Sequence, residues 1–197
     1  MKGLVIDTTV KRAYAAAFDG EAQSVVFFDE TLSTASGITR AVKKVLAELN
    51  LNKKQLDGVA VVVGPGSFTG IRIGVSFANA FCYGLSIPRF RLTSFSVMQA
   101  LVSAPCYAVD AGHESAYAAL NEGGVLKEEN LDLSALPEGT VFQRDLEDQL
   151  PQGALIAARA AFEELSVSPC VPRFAVDRLK PHYMRKSQAE RMLDEKK

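Results

Sequence analysis

Two distant stretches of the chain align without a gap: DTTVKRAYAAAFDG at 7–20 and DAGHESAYAALNEG at 110–123. Six of the fourteen positions are identical, namely the Asp, the AYAA block and the Gly. Each copy follows an apolar run, GLVI before Asp7 and CYAV before Asp110. Alanine-rich strands also align by coincidence, so chance is one reading. The other is a duplicated strand–turn–strand unit, hence two related lobes. On that reading the first lobe takes residues 1–104 and a smaller second lobe takes 105–197. The boundary falls near SAPC, where Pro105 interrupts a helical pattern.

Local patterning fills in the first lobe. GLVID reads as a buried strand ending at Asp7, and 12–20 with 22–30 reads as a hairpin around Asp19-Gly20. From Thr34 to Asn50 the period changes, and Ile38, Val42, Val45, Leu46 and Leu49 fall on one helical stripe. VAVVV at 59–63 is continuously apolar, as in a strand covered on both faces. A second helix is expected from about Thr69 to Tyr83, then a strand over 87–92 and a short helix at SFSVMQALV. An apolar strand ending in Asp, a tight turn and a hairpin, present twice, predicts an α/β chain. It suggests the duplicated ribonuclease-H-like, two-lobe architecture of actin, hexokinase and Hsp70 (the ASKHA type), with an abbreviated second lobe. In that architecture each such turn is a phosphate loop, so Asp7, Thr8 and Asp110 are candidate phosphate or Mg²⁺ contacts. Strand-end aspartates serve equally as turn caps.

Composition narrows the function classes. Among 197 residues, 22 Lys+Arg face 23 Asp+Glu, so no global field draws in nucleic acid or a membrane. The three cysteines, Cys82, Cys106 and Cys170, form no CxxC pair, which argues against a zinc site and for a reducing cytoplasm. No run approaches the ~20 apolar residues of a membrane span. A cytoplasmic protein is expected. Residues 178–197 hold seven Lys/Arg against three Asp/Glu, a pattern open to weak tRNA contact or to a solvated terminal helix.

The segment VAVVVGPGSFTGIRIG at 59–74 carries the strongest motif. Pro65-Gly66 marks a turn, and Ser67 or Thr69 can cap the helix that follows, which makes the motif loop Gly64, Pro65, Gly66, Ser67, Phe68, Thr69, Gly70 and Arg72 look like an anion site. A Walker A loop fails because Gly70 is followed by Ile71-Arg72 and no Lys. A dinucleotide loop, with Arg89 and Arg91 for a ribose phosphate, is closer and stays open, although its glycine spacing departs from GxGxxG, Pro65 stiffens the turn and hairpins rather than a βαβ unit precede it. A turn that needs glycine for geometry alone is the other alternative. Beyond it, Gly70, Gly74, Ala78 and Cys82 recur every four residues as a narrow ridge, beside a bulky stripe of Ile73, Phe77 and Phe81. A helix apolar on most of its circumference is buried on more than one side: one side against its own sheet, the other against a partner or another part of the chain.

IDTT at the N-terminus, GPGSFTGIRIG before a helix, the DA step at 110–111 and PHYMRKSQAE at 181–190 together resemble the bacterial TsaB family, also called YeaZ. The resemblance runs nearly the whole chain in order. It implies a non-catalytic paralogue of TsaD, the enzyme that attaches threonylcarbamoyl to adenosine 37 of tRNAs reading ANN codons. Relatives also carry transferase or peptidase-like labels. The implied partners are TsaD and the ATPase TsaE, with a homodimer as the form without TsaD and tRNA contacted weakly or indirectly. The implied interface is the two first-lobe helices, through Ile38, Val42, Val45, Gly70, Ile73, Gly74, Phe77, Ala78 and Phe81. No cofactor is expected on the isolated chain, and ATP or ADP only in the assembled complex.

The chain departs from the family pattern at Gly112-His113, where many relatives have Arg after the DA step. The catalytic paralogue holds its metal with an HxxxH pair; this chain has two histidines, His113 and His182, too far apart in sequence for one. No catalytic residue and no metal site are therefore predicted. His113 reads as a phosphate contact or an exposed loop residue. The competing function is a reduced actin-like ATPase or sugar kinase. That activity needs an adenosine pocket, and beyond Gly124 only Gly139 and Gly153 remain, in no paired motif.

Overall fold

The computed structural model describes residues 1–29, 31, 33–167 and 178–184. Cys170 and the basic tail beyond residue 184 lie outside the described residues. Strands β1 (Lys2–Asp7), β2 (Tyr14–Asp19), β3 (Ala22–Phe27), β4 (Gly58–Val62) and β5 (Arg89–Leu92) form one sheet in the order β3-β2-β1-β4-β5. Strands β6 (Cys106–Gly112), β7 (Ser115–Glu122), β8 (Val125–Asp132) and β9 (Val141–Phe142) form a second, in the order β8-β7-β6-β9. In each sheet the first three strands form an antiparallel meander and the fourth pairs parallel with the first. This shared topology supports duplication over coincidence. The second copy is abbreviated: a short 3-10 turn at Leu133–Ala135 stands between β8 and β9, where α1 (Thr34–Glu48) stands between β3 and β4.

Residue alternation along the central strands builds two cores. Leu4, Ile6, Val59 and Val61 face α1 and α2 (Phe68–Leu85). Val5, Ala60 and Val62 face the other way, into a core completed by α3 (Ser94–Gln99), α4 (Leu150–Val167) and side chains of the second sheet such as Tyr107 and Val109. The continuously apolar VAVVV is thus covered on both sides, as its pattern predicts.

The division at residue 104 does not separate two self-contained cores. Helix α4 follows the second sheet in sequence but packs on β1, β2, β4 and β5 of the first. Its Phe162 ring stacks on Phe90 at 4.2 Å and meets Phe18 edge-on at 5.3 Å. Gly3 and Gly58 are register partners on β1 and β4. A Cβ on Gly3 would lie 2.3 Å from the Phe18 ring, and one on Gly58 would lie 2.7 Å from Phe90. The missing side chains are what admit the aromatic cluster. Phe162→Ala empties its centre and should lower stability by about 3–5 kcal/mol, read as a shift in the urea unfolding midpoint.

Candidate functional site

Strand β1 ends at Asp7, one of the candidate phosphate or Mg²⁺ contacts expected from the sequence. The carboxylate is 1% exposed. Its Oδ1 accepts from the Thr9 backbone N–H (2.8 Å) and hydroxyl (2.7 Å), and Oδ2 lies 3.2 Å from the Tyr14 hydroxyl. This is an Asx turn sealed by its own neighbours. Burial pushes the Asp7 carboxyl above its ordinary range against the opposing pull of these hydrogen bonds. Burial, with the Asp7 charge second, pushes the Tyr14 hydroxyl well above its own. The candidate contact at Asp7 is therefore corrected: both oxygens are occupied and neither faces a cleft.

The GPG motif completes the seal. The Thr8 hydroxyl donates to the Gly70 carbonyl at 2.6 Å, and the Ser67 N–H donates to the Thr9 carbonyl at 2.8 Å. The Ser94 hydroxyl, from the start of α3, donates to the Pro65 carbonyl at 2.6 Å. Ser67 caps α2 by accepting from the Gly70 N–H at 3.2 Å. A Cβ at Gly70 would sit 1.7 Å from the Thr8 carbonyl oxygen, and one at Gly74 would sit 2.3 Å from the Thr8 hydroxyl. The glycine ridge lets α2 lie directly on the turn after β1. Thr8 is 2% exposed with its hydroxyl committed to Gly70, so it too is withdrawn as a ligand contact.

The second loop is closed differently. The alignment places Asp110 opposite Tyr117, as Asp7 lies opposite Tyr14; instead Asp110 pairs with Ala116 and β6 runs on to Gly112. His113 and Glu114 alone make the turn, with φ of 53° and 56°, the positive values a type I′ hairpin requires. His113 is an exposed hairpin tip. Asp110 accepts from the Gly112 N–H at 2.7 Å and faces Arg144 at 3.6 Å. Where the first copy has a loop, the second has strand.

Between the sheets lies an open cleft of about 260 Å³, lined by Lys11, Gly66, Ser67, Asp110, Arg144 and Glu147 among others. It falls below the roughly 300–1,000 Å³ of small-molecule sites. Among the described residues no group of three His, Cys, Asp or Glu could hold a metal. His182 pairs with Glu128 at 2.5 Å, and among the described residues neither histidine hydrogen-bonds a serine. Burial pushes the Cys82 thiol up to about 11, which leaves it an inert core residue.

Helix α2 has an inner and an outer side, and the expected contact residues divide between them. Gly70, Gly74 and Ala78 face inward, and Ile38, Val42 and Val45 of α1 are at most 4% exposed, packed under their own helix. These six cannot touch a partner; the amphipathic stripe marks the side that meets the sheet. Ile73, Phe77 and Phe81 are half-buried at the rim, the two phenylalanines stacked at 5.5 Å. Arg72, Ser76, Ala80 and Tyr83 face out, with Tyr83 82% exposed. The outer face of α1 is charged, with Arg40, Lys43, Lys44 and Glu48 exposed. Residues 178–184 return alongside α2: Asn79 exchanges two hydrogen bonds with the Leu179 backbone (3.0 and 2.9 Å), and the His182 N–H donates to the Val63 carbonyl at 2.8 Å. Arg89, a candidate ribose-phosphate ligand by sequence, instead donates to Asn79 beneath this segment.

The family described as TsaD, tRNA N6-adenosine threonylcarbamoyltransferase, matches residues 34–185. The chain belongs to this family. Its relatives carry the TsaB and YeaZ names, as the motifs predict. The "tRNA threonylcarbamoyladenosine biosynthesis protein TsaB" of Buchnera aphidicola subsp. Schizaphis graminum is 30% identical over 95 residues, covering 48% of this chain and 45% of the relative. The solved structure described as an uncharacterized protein with similarity to peptidase YEAZ from Pseudomonas aeruginosa superposes with a TM-score of 0.72 at 16% identity, over 93% of this chain and 99% of that one. YeaZ from Pseudomonas aeruginosa gives a TM-score of 0.59 at 20% identity, over 69% of each. The matches span less than half the length of the first curated TsaB relatives, 45% and 40%. Among the described residues no helix is long and apolar enough to cross a membrane.

Sequence reasoning missed Thr9, Tyr14 and Ser94, whose hydroxyls bring together distant parts of the chain. It also missed Tyr83, which lies on the outward stripe and would have emerged from asking which side of α2 lacks glycine.

Gly70→Ala should destabilise by about 3 kcal/mol or more because backbone must yield. Gly84→Ala in the same helix, with nothing within 4 Å of its Cβ, should stabilise by roughly 0.5–1 kcal/mol; paired thermal melts read both. Asp7→Asn preserves the turn, because the amide oxygen accepts from Thr9 and the Tyr14 hydroxyl keeps the Leu150 carbonyl at 3.1 Å. A raised carboxyl favours folding fully below its unfolded pKa of about 3.9 and loses that contribution as pH rises through the folded value. The variant should therefore equal or exceed the native protein in stability at pH 7, with its relative advantage shrinking in acid.

Proposed function

We propose that this chain is a non-catalytic subunit for tRNA threonylcarbamoyladenosine biosynthesis that pairs with TsaD through the outward side of α2. The observation that carries the reading is the sealed turn. The Asp7 carboxylate is committed to Thr9 and Tyr14 and the Thr8 hydroxyl to the Gly70 carbonyl, so the turn read from the sequence as a candidate phosphate contact is spent on holding α2. The helix so held leaves Tyr83 exposed in a row with Ser76 and Ala80. A specific interface on this flank would bury roughly 1,600 Å² in total, and exposed aromatics are the residue type that dominates such contacts. The TsaB name of the relatives supports the pathway, and the match of this chain to the TsaD family supports pairing with a protein of like fold. TsaE joins the pair, ATP or ADP enters only at the assembled joint, and the work takes place in the cytoplasm.

Reconstitution with TsaD, TsaE, ATP, threonylcarbamoyl donor and tRNA tests the assignment, with modified adenosine measured by mass spectrometry. Modification should require both this chain and TsaD. Tyr83→Glu, on an exposed helix position, should leave the melting temperature unchanged while cutting pairing and modification at least tenfold, about 1.4 kcal/mol. Full modification without this chain, or hydrolysis of Mg-ATP by this chain alone, would refute the reading; the second result would favour a reduced kinase-like ATPase.

A further inference from the structure

Arg72 is the only charged residue on α2, whose sequence FTGIRIGVSFANAFCYGL contains no Asp or Glu. Its guanidinium is held in a fixed orientation. The carbon lies 4.0 Å from the Phe68 ring centroid and 5.8 Å from that of Tyr183, and these two rings lie 4.9 Å apart. Its Nε–H donates to the Tyr183 hydroxyl at 2.9 Å. Among the described residues its two terminal nitrogens have no partner, although the side chain is exposed. Tyr183 is itself fixed by the returning segment, through Leu179 on Asn79 and His182 on Val63. Arg72 and Tyr83 stand three turns apart on one stripe, about 16 Å along the axis, with the small residues Ser76 and Ala80 between them.

We propose that Arg72 is the charge-reading contact of this flank, clamped by Phe68 and Tyr183 so that its fork receives an Asp or Glu carboxylate of the docking protein. A planar fork with one edge already committed leaves the terminal nitrogens for a carboxylate, and fixing them beforehand removes the entropy lost on docking. Charge also selects the occupant. A second copy of this chain laying its own α2 on the flank offers Arg72 no anion from that helix, whereas a partner with an acidic residue there satisfies it. The inference rests on the reading that this flank docks TsaD.

Calorimetric titration of the full chain against TsaD, with parallel thermal melts, is the test. Arg72→Glu should weaken pairing about 30-fold or more, and Arg72→Lys, which keeps charge but loses fork and stack, about tenfold. Tyr183→Phe, which keeps the ring and removes only the positioning hydroxyl, should weaken it by a smaller factor. Reversal of one acidic residue of TsaD to Lys should restore binding of Arg72→Glu. Should Arg72→Glu fail to fold, Arg72→Lys and Tyr183→Phe decide by the same criterion. Native-like affinity in these variants while Tyr83→Glu abolishes pairing would overturn the clamp and leave the docking surface standing. No pairing by the native chain would overturn both. Loss of tRNA retention with TsaD affinity intact would assign Arg72 to a phosphate and overturn the proposal.

Discussion

The contact on which the structure turns is the Thr8 carbonyl pressed against the backbone of α2 at Gly70. At that distance no side chain fits between strand-end turn and helix, and every nearby feature follows from it. The Thr8 hydroxyl reaches the Gly70 carbonyl; the GPG loop folds under Thr9; Ser94 ties α3 to Pro65. Small residues at 70, 74 and 78 continue the close approach down the helix. The bulky Ile73, Phe77 and Phe81 are consequently rotated to the rim, and the third side of α2 is left to solvent. One steric constraint thus sets both how the turn after β1 is closed and which side of α2 is exposed.

Much of the first lobe was legible because its signals are local. The apolar run to Asp7, the hairpin around Asp19-Gly20, the helical stripe from Thr34 and the continuous VAVVV each state their own period, and each becomes the expected element. The repeat disclosed the duplicated topology but misplaced one loop. A hairpin's register depends on its turn, and His113-Glu114 closes the second hairpin in two residues where the first uses the whole stretch from Thr8 to Ala13. Six identities cannot reveal a one-residue shift in pairing, yet that shift converts a candidate loop into strand.

Which side of each helix is buried was half legible for a related reason. Periodicity finds the apolar stripes of α1 and α2 but does not say whether a stripe meets the chain's own sheet or another protein. The amphipathic Ile38, Val42 and Val45 belong to the core, and so do the glycines, whose small size serves an internal approach. The docking of α4 on the first sheet was beyond local reading altogether. It joins Phe162 to Phe18 and Phe90 across most of the sequence, and nothing in the helix's own pattern names its destination. The same holds for residues 178–184, where Leu179 meets Asn79 of α2 and His182 meets Val63 through backbone groups that leave no trace in residue type.

A helix seated backbone-to-backbone has little freedom to roll, and this has a consequence for recognition. Rotating α2 would drive Gly70 and Gly74 off Thr8 and drag the Asn79 amide from Leu179, so the outward side chains inherit the rigidity of the inward ones. A partner docking on the flank proposed above would order little that was not ordered already, and such ordering is where much of the unfavourable entropy of association otherwise arises. A buried carboxylate at Asp7 is tolerated because the turn it organises supports that rigidity, even though burial disfavours its charged form. The polar groups of Asp7, Thr8, Thr9 and Ser94 are turned on one another and on the backbone around them. Their hydrogen bonds fix the attitude of one helix, and with it the placement of every outward side chain that helix carries.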